Sequence, residues 1–204
     1  MKLMHHTPRW DSTSHDEWEA WQTRRLHDYL KHRVFPFSAH YRRIFEDHDF
    51  RPGDLRSLAD WAQLPMTSKA DLTVPRELQR EFVLVPEEHV IRHEPQILMH
   101  ALLHGRASAK RRVEHEFRPV LLTSTTGRSS EPVPFVYTQH DLDNLNITGR
   151  RLMECGRSST EYRHVNTFPY APHLAFWQAH HAGLGFGTFM VGSGGGKVLG
   201  KIGR

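Results

Sequence analysis

The feature that most constrains the fold is a change of pattern near Pro119, where short helical segments give way to alternating strands and helices. Residues 119–124 form a short apolar stretch typical of a strand, and a second such stretch, residues 133–137, follows a polar loop. A helical pattern then begins at Thr138 and reaches about Cys155. Strands that alternate with helices in this way indicate an α/β protein with a mainly parallel sheet.

The rest of the chain fits this division into two parts. Strands near residues 164–168 and 187–191 flank a helix near 172–182, and a glycine-rich loop follows the second of these strands. Before Pro119 the pattern is a run of short helices, opened by a capping box at Ser14 and Glu17. We therefore expect a mainly helical segment, residues 1–118, and an α/β segment, residues 119–204, within one continuous but incomplete domain.

Composition sets limits on location and partners. Apolar residues make up 38% of the chain and charged residues 25%, which is typical of a folded protein, and no apolar run could span a bilayer. Cys155 is the only cysteine, so an intrachain disulfide and a cysteine-based zinc site are excluded. These features favour the cytoplasm and no membrane partner. A nucleic-acid-binding protein is supported only by the net charge of +4, so we expect no nucleic acid.

The loop after the first strand carries the most chemical information. Residues 123–132 combine many hydroxyl side chains with Gly127 and Arg128. Hydroxyls, backbone N–H groups and a cation are the donors that bind phosphate, and glycine allows the backbone to approach it closely. No Walker pattern is present. The residues alone therefore leave two interpretations open, namely a phosphate-contacting loop and an ordinary polar turn.

The loop resembles the Ser/Thr/Gly-rich nucleotide loop of the adenylate-forming superfamily, with Thr125, Thr126 and Gly127 at its centre. Other segments resemble the phenylacetate–CoA ligase branch of that superfamily in the same order along the chain, at residues 37–45, 55–60, 64–72, 136–142, 166–173 and 187–196. The resemblance covers roughly residues 20–200. It implies the N-terminal part of an AMP-forming ligase, with the partial sheet of the N-terminal domain of that family.

The resemblance also implies substrates and site residues. The complete enzyme would use ATP, Mg²⁺ and CoA as substrates, together with an aryl acid such as phenylacetate, and this chain alone is expected to hold none of them as a resident group. The implied phosphate-binding residues are Ser124, Thr125, Thr126, Gly127 and Arg128. The implied acid pocket consists of Phe168, Tyr170, His173, Ser193, Gly194 and Gly195. No catalytic residue can be assigned, because the family supplies those groups from its second half.

Two departures from the family pattern keep an alternative function open. Ser124 stands where the family usually has glycine, and an insertion containing Glu131 separates Gly127 from Pro132. A non-catalytic binding or assembly module derived from the same fold would tolerate both changes. The aromatic residues of the implied pocket could likewise be core residues at a strand end.

Two further expectations concern self-association and metals. A partial sheet would expose an edge, so we expect a homo-oligomer or a swapped dimer to cover it. The 17 histidines include no His-Glu-x-x-His pattern, and we expect no metal site.

Overall fold

The computed structural model describes residues 12–68, 71, 81–125, 132–170 and 173–194 of the 204-residue chain. The chain divides into two compact units, Met1–Arg106 and Ala107–Arg204. Helices and strands are mixed, which confirms the α/β class. No helix within the described ranges is long and apolar enough to cross a membrane.

The first unit is helical in its described part. As predicted, Ser14 and Glu17 form a capping box: the Ser14 hydroxyl accepts from the Glu17 N–H, and the Glu17 carboxylate accepts from the Ser14 N–H. The first helix continues into one π turn, Leu30–Val34, and a 3₁₀ turn covers Pro52–Asp54. The α-helices are α1 His15–Tyr29, α2 Phe35–Phe37, α3 Ala39–Asp47, α4 Leu58–Trp61, α5 Glu88–His93 and α6 Pro95–His104.

The core of this unit is centred on Phe45, which is completely buried. Its ring lies 5.6 Å from that of Phe50 and 6.4 Å from that of Trp61, measured between centroids. Leu30 and Val34, at the end of the first helix, complete the buried cluster together with Leu55. Burial of these side chains supplies most of the stability of the unit, because apolar area removed from water is the main favourable term in folding.

The second unit contains the alternating elements. They are α7 Arg106–Phe117, which begins at the last residue of the first unit, β1 Pro119–Ser124, β2 Pro134–Thr138, α8 Gln139–Cys155, β3 Arg163–Asn166, α9 Leu174–Phe186 and β4 Phe189–Gly192. Thr138 begins α8 with a capping box closed by Asp141, as its sequence predicts. His115 on α7 lies 2.9 Å from a carboxylate oxygen of Asp143 and so attaches that helix to α8.

The strands pair two by two in the described residues. Strands β3 and β4 are parallel, whereas β1 and β2 form an antiparallel hairpin, which departs from the mainly parallel pairing expected. The reason is the length of the connection: β1 ends at Ser124 and β2 begins at Pro134, whereas a parallel crossover needs about a dozen or more residues. An isolated parallel bridge joins Ser124, the last residue of β1, to His173.

Helices α8 and α9 pack closely because glycine lies at their points of contact. Gly149 on α8 is buried against the backbone of Ala182 on α9, and Gly185 on α9 faces the carbonyl oxygen of Asn146 on α8. A side chain at either glycine would meet backbone atoms of the facing helix. This packing fixes α9, whose first turn adjoins the candidate site.

Candidate functional site

The structure describes the two ends of the hydroxyl-rich loop, and the pairing of Thr125 with Val133 there is called the neck of the loop. The Thr125 N–H donates to the Val133 carbonyl oxygen at 3.0 Å, and the Val133 N–H donates to the Thr125 hydroxyl oxygen at 3.0 Å. These two bonds extend the hairpin by one residue on each side. They leave the Thr125 hydroxyl proton able to donate to a ligand, but they occupy its backbone N–H. The other predicted phosphate-binding residues, Thr126, Gly127 and Arg128, lie outside the described residues.

Thr123, one residue before Ser124, begins the hydroxyl-rich segment but is not among the implied phosphate-binding residues. It is completely buried, and its hydroxyl oxygen has no hydrogen-bond partner within the part of the chain that the structure describes. A buried polar atom without a partner costs about 1–3 kcal/mol. The end of β1 therefore carries an unused hydroxyl group in addition to those predicted.

The end of β1 lies directly beside the segment that precedes α9. The bridge between Ser124 and His173 brings the hydroxyl-rich segment and the aromatic segment into backbone contact. The His173 ring nitrogen Nδ1 accepts from the Ala175 N–H at 3.2 Å and thereby caps α9. The Phe168 ring stacks on the His173 ring with 5.9 Å between centroids.

Tyr170 covers the glycine segment that follows β4. Its hydroxyl donates to the Gly192 carbonyl oxygen, and its ring lies 4.8 Å from that of Phe176. Gly194 has a φ of 60°, and a Cβ placed there would lie 3.3 Å from Tyr170 Cγ and still closer to the ring edge. Glycine is therefore favoured at 194 by its positive φ, and a Cβ there would also displace the Tyr170 ring. The predicted partner Gly195 lies outside the described residues.

Asn166 and Phe176 contribute to this arrangement although the sequence did not single them out. Asn166 is buried at the end of β3, and its carbonyl oxygen accepts from the Ser193 N–H at 2.9 Å. Phe176 is buried between the Tyr170 ring and the His180 ring. The available signal was the position of Asn166, a polar residue that ends a strand directly before the aromatic segment.

The site thus has two chemically different sides. Hydroxyl groups lie at the end of β1, suited to hydrogen bonding with anionic oxygens, and aromatic rings at 168, 170 and 176 form an apolar wall. The predicted members in the described ranges lie at three places: after β1 or at its end, in the segment between β3 and α9, and after β4. They are Ser124 and Thr125, then Phe168, Tyr170 and His173, then Ser193 and Gly194. No group of three or more His, Cys, Asp or Glu residues suited to a metal ion occurs among the residues described.

Comparison with known proteins finds similar sequences among curated proteins and similar folds among solved structures. The chain is 29% identical to the phenylacetate-coenzyme A ligase of Escherichia coli (strain K12) over 189 residues, 92% of this chain and 36% of the relative. It is 26% identical to the phenylacetate-coenzyme A ligase of Aromatoleum evansii over 193 residues, 94% of this chain and 36% of the relative. The chain therefore spans about a third of the length of these curated relatives. No family model matches the sequence.

Solved structures give the fold. An open conformation of 2-hydroxyisobutyryl-CoA ligase in complex with 2-HIB-AMP and CoA superposes with a TM-score of 0.63 at 16% identity, over 97% of this chain and 42% of that one. The same ligase in its thioesterification state gives a TM-score of 0.62, over 97% and 38% of the two chains. The chain is thus similar in sequence to about a third of the length of the phenylacetate-coenzyme A ligases, and it shares its α/β fold with part of 2-hydroxyisobutyryl-CoA ligase.

Proposed function

We propose that this chain is the N-terminal portion of an AMP-forming acid–CoA ligase whose acid is an aryl acid such as phenylacetate. The observation that carries the proposal is the bridge between Ser124 and His173. The bridge joins a hydroxyl-rich strand end to His173, on which Phe168 stacks. This supports the proposal because the reaction needs phosphate donors beside an acid-binding surface, since a carboxylate and a triphosphate must meet at one point. The sequence relationship to phenylacetate–CoA ligases supports the same acid.

The proposed reaction has two steps. A carboxylate oxygen of the acid attacks the α-phosphorus of ATP, and the bond to pyrophosphate breaks. The sulfur of CoA then attacks the carbonyl carbon of the acyl-adenylate, and the bond to AMP breaks. In the first step Thr125, Thr126 and Gly127 would hold the β- and γ-phosphates, flanked by Ser124 and Arg128, since fixed donors stabilise the charge that develops on these oxygens.

The acid would bind on the aromatic side of the site. Phe168 and Tyr170 are each about half exposed, so their faces are available to a flat apolar ligand. His173, Ser193 and the glycines at 194 and 195 would lie around the carboxylate end. Hydrophobic stacking would then supply affinity while the hydroxyl-rich strand end orients the reacting group.

Mg²⁺ enters this scheme as part of the nucleotide substrate. The described residues contain no cluster of acidic or histidine side chains suited to hold it, so we assign no metal ligand and no catalytic residue to this chain. Since the chain spans about a third of its relatives, we propose that it is not a competent ligase alone. An assay for pyrophosphate or AMP release from ATP, phenylacetate and CoA checks this, and turnover by the isolated chain would contradict it.

A second candidate is a non-catalytic binding or assembly module derived from this fold. The observation that favours it is the neck of the loop, where the Thr125 N–H donates to Val133 and is not available to a phosphate. Ser124 in place of glycine and the inserted Glu131 point the same way. Calorimetric titration with ATP, AMP, CoA and phenylacetate separates the two: the ligase portion binds nucleotide and acid, whereas the module binds neither.

A matched pair of variants tests the phosphate-binding loop directly. Thr125→Val removes the hydroxyl group at the neck, and Thr148→Val makes the same change at an exposed position on α8, where the hydroxyl donates to the Asn144 carbonyl oxygen. We expect Thr125→Val to weaken ATP binding about tenfold, equivalent to one hydrogen bond to a charged group, with Thr148→Val unchanged. Equal affinities for the two variants would refute the assignment of Thr125.

Two less specific parts of the proposal concern assembly and location. Each described sheet has two strands and therefore unpaired edges, and Val120, Leu122 and Val136 on the hairpin are about half exposed or more. We propose a homo-oligomer or swapped dimer that covers such an edge, which light scattering after size-exclusion chromatography would detect as twice the monomer mass or more.

A cytoplasmic location, expected from the single cysteine, belongs to the same proposal.

A further inference from the structure

Asn166 is the residue that joins the walls of the candidate acid pocket. Its side-chain amide nitrogen donates to the Phe176 carbonyl oxygen at 2.9 Å, and its side-chain oxygen accepts from the Phe168 N–H at 3.1 Å. Its main-chain carbonyl oxygen accepts from Ser193, from the N–H at 2.9 Å and from the hydroxyl at 3.3 Å. One residue thus connects the aromatic segment, the first turn of α9 and the loop after β4.

These two bonds match the donor and the acceptor of an amide side chain. The Phe176 partner is a carbonyl oxygen and needs a donor, whereas the Phe168 partner is an N–H and needs an acceptor. The amide of asparagine offers an N–H donor and a separate carbonyl acceptor at once, whereas an ionised carboxylate of the same length can only accept. Asn166 is 4% exposed, so water cannot replace either partner at low cost.

A second connection across the pocket has a different character. Tyr170 reaches the Gly192 carbonyl oxygen through its hydroxyl group, but the tyrosine is 58% exposed and can leave that position by rotation about its side-chain bonds. Asn166 is buried and hydrogen-bonded to Phe168, Phe176 and Ser193, so it cannot leave its position in this way. The separation between the aromatic segment and the glycine loop is therefore set at Asn166 rather than at Tyr170.

We propose that Asn166 is a positioning residue of the acid pocket, which fixes the Phe168 segment against the Ser193 loop at the spacing that an aryl acid occupies. The assignment rests on the proposed function, because the pocket is the one proposed there for the acid. Asn166 does not contact the reacting atoms; it acts through the segments that it holds. It therefore affects acid binding more than nucleotide binding.

The test uses Asn166→Asp and Asn166→Ala, with Asn144→Asp as the control. Asn144 lies exposed on α8 in the same unit, where its amide contacts only the His140 side chain among the described residues, so the control makes the same chemical change away from the pocket. Phenylacetate and ATP binding are measured by calorimetry, and amide hydrogen exchange is measured at Phe168 and Ser193. We expect about tenfold weaker phenylacetate binding for both Asn166 variants, equivalent to one lost buried hydrogen bond.

A pH profile separates positioning from simple space filling. An aspartate at 166 lacks the donor at neutral pH, but a protonated carboxyl group regains it, and burial raises the pKa of such a group. The ratio of Asn166→Asp to wild-type affinity for phenylacetate should therefore return toward one between pH 7 and pH 5. Taking the ratio at each pH removes the ionisation of phenylacetate itself. Asn166→Ala should show no such recovery.

The possible outcomes test the positioning role of Asn166 separately from the proposed function. Faster exchange at Phe168 and Ser193, weakened phenylacetate binding, unchanged ATP binding and recovery at low pH would support the assignment. Unchanged phenylacetate affinity in folded variants, or equal losses for ATP and phenylacetate, would overturn it and leave the proposed function standing. If the wild-type chain binds no phenylacetate, the proposed function fails and the pocket role with it, while the exchange data still report whether Asn166 joins the two segments. If both variants fail to fold, Asn166 is a structural residue and the positioning role is rejected.

Discussion

Gly149 on α8 faces the backbone of Ala182 on α9, and this contact allows a quantitative prediction. A Cβ added at Gly149 would lie 2.7 Å from the Ala182 Cβ and 3.0 Å from the Ala182 nitrogen, and nearer still to the Ala182 Cα. Two of these three atoms are backbone, so no side-chain rotation can relieve the clash. The Gly149→Ala variant must therefore push the two helices apart.

The magnitude follows from two opposing effects. Overpacking a close-packed interior costs about 1–3 kcal/mol, and a clash with backbone belongs at the upper end. Alanine is favoured over glycine inside a helix by about 1 kcal/mol, which offsets part of that cost. We expect the free energy of unfolding of the second unit to fall by about 2 kcal/mol, a shift of about 10 °C in its melting temperature for a unit of this size.

Urea unfolding followed by circular dichroism, with amide exchange in α8 and α9, measures the effect. Gly156→Ala is the control: Gly156 ends α8 with a φ of −73°, and a Cβ there would meet only ordinary contacts at 3.4 Å and 3.5 Å. We expect this control to be neutral or slightly stabilising. Adding Ala182→Gly to Gly149→Ala should restore part of the loss. A Gly149→Ala midpoint equal to that of the control would refute the packing argument.

Three further predictions concern the core, a helix cap and pH. Phe45→Ala should destabilise the first unit by about 3–5 kcal/mol in urea unfolding, because Phe45 is completely buried; a loss below about 1 kcal/mol would contradict the core assignment. Thr138→Ala, which removes a capping box with Asp141, should cost about 1 kcal/mol and increase amide exchange in the first turn of α8, and unchanged exchange would count against it. Burial, and secondly the charge of His180, lower the pKa of His181. The neutral form of His181 therefore adds to the free energy of unfolding. This contribution is fully present above the ordinary pKa of about 6.5, and it is lost as pH falls through the lower pKa that His181 has in the folded protein. The difference in urea stability between pH 7.5 and pH 5.5 should therefore shrink in His181→Gln, and an unaltered difference would argue against this linkage.

The elements set by local interactions could be predicted from the sequence. The capping boxes at Ser14 and Thr138 require only residues three positions apart, and both helices begin where the sequence indicates. The strand at residues 119–124 coincides with β1. In each case the physical cause lies within a few residues of its effect.

Pairing and side-chain contacts between distant residues could not be predicted in the same way. The sequence places β1 and β2 as strands, but their antiparallel pairing depends on the length of the loop between them, which the alternation of strands and helices does not specify. The sequence also places Thr125 in a candidate phosphate loop without showing that Val133 occupies its N–H. Asn166 looks like any polar residue at a strand end until its bonds to Phe168 and Phe176 are known.

The bridge between Ser124 and His173 has a consequence for folding. It joins positions far apart along the chain, whereas the hairpin of β1 and β2 joins near neighbours. Longer loops cost more entropy to close, so contacts of this kind form late and are among the first to open. The hairpin can therefore exist in partly folded states in which the two sides of the site are still separate. A ligand that contacts both sides recognises only the completed unit, and its binding stabilises the fold by mass action.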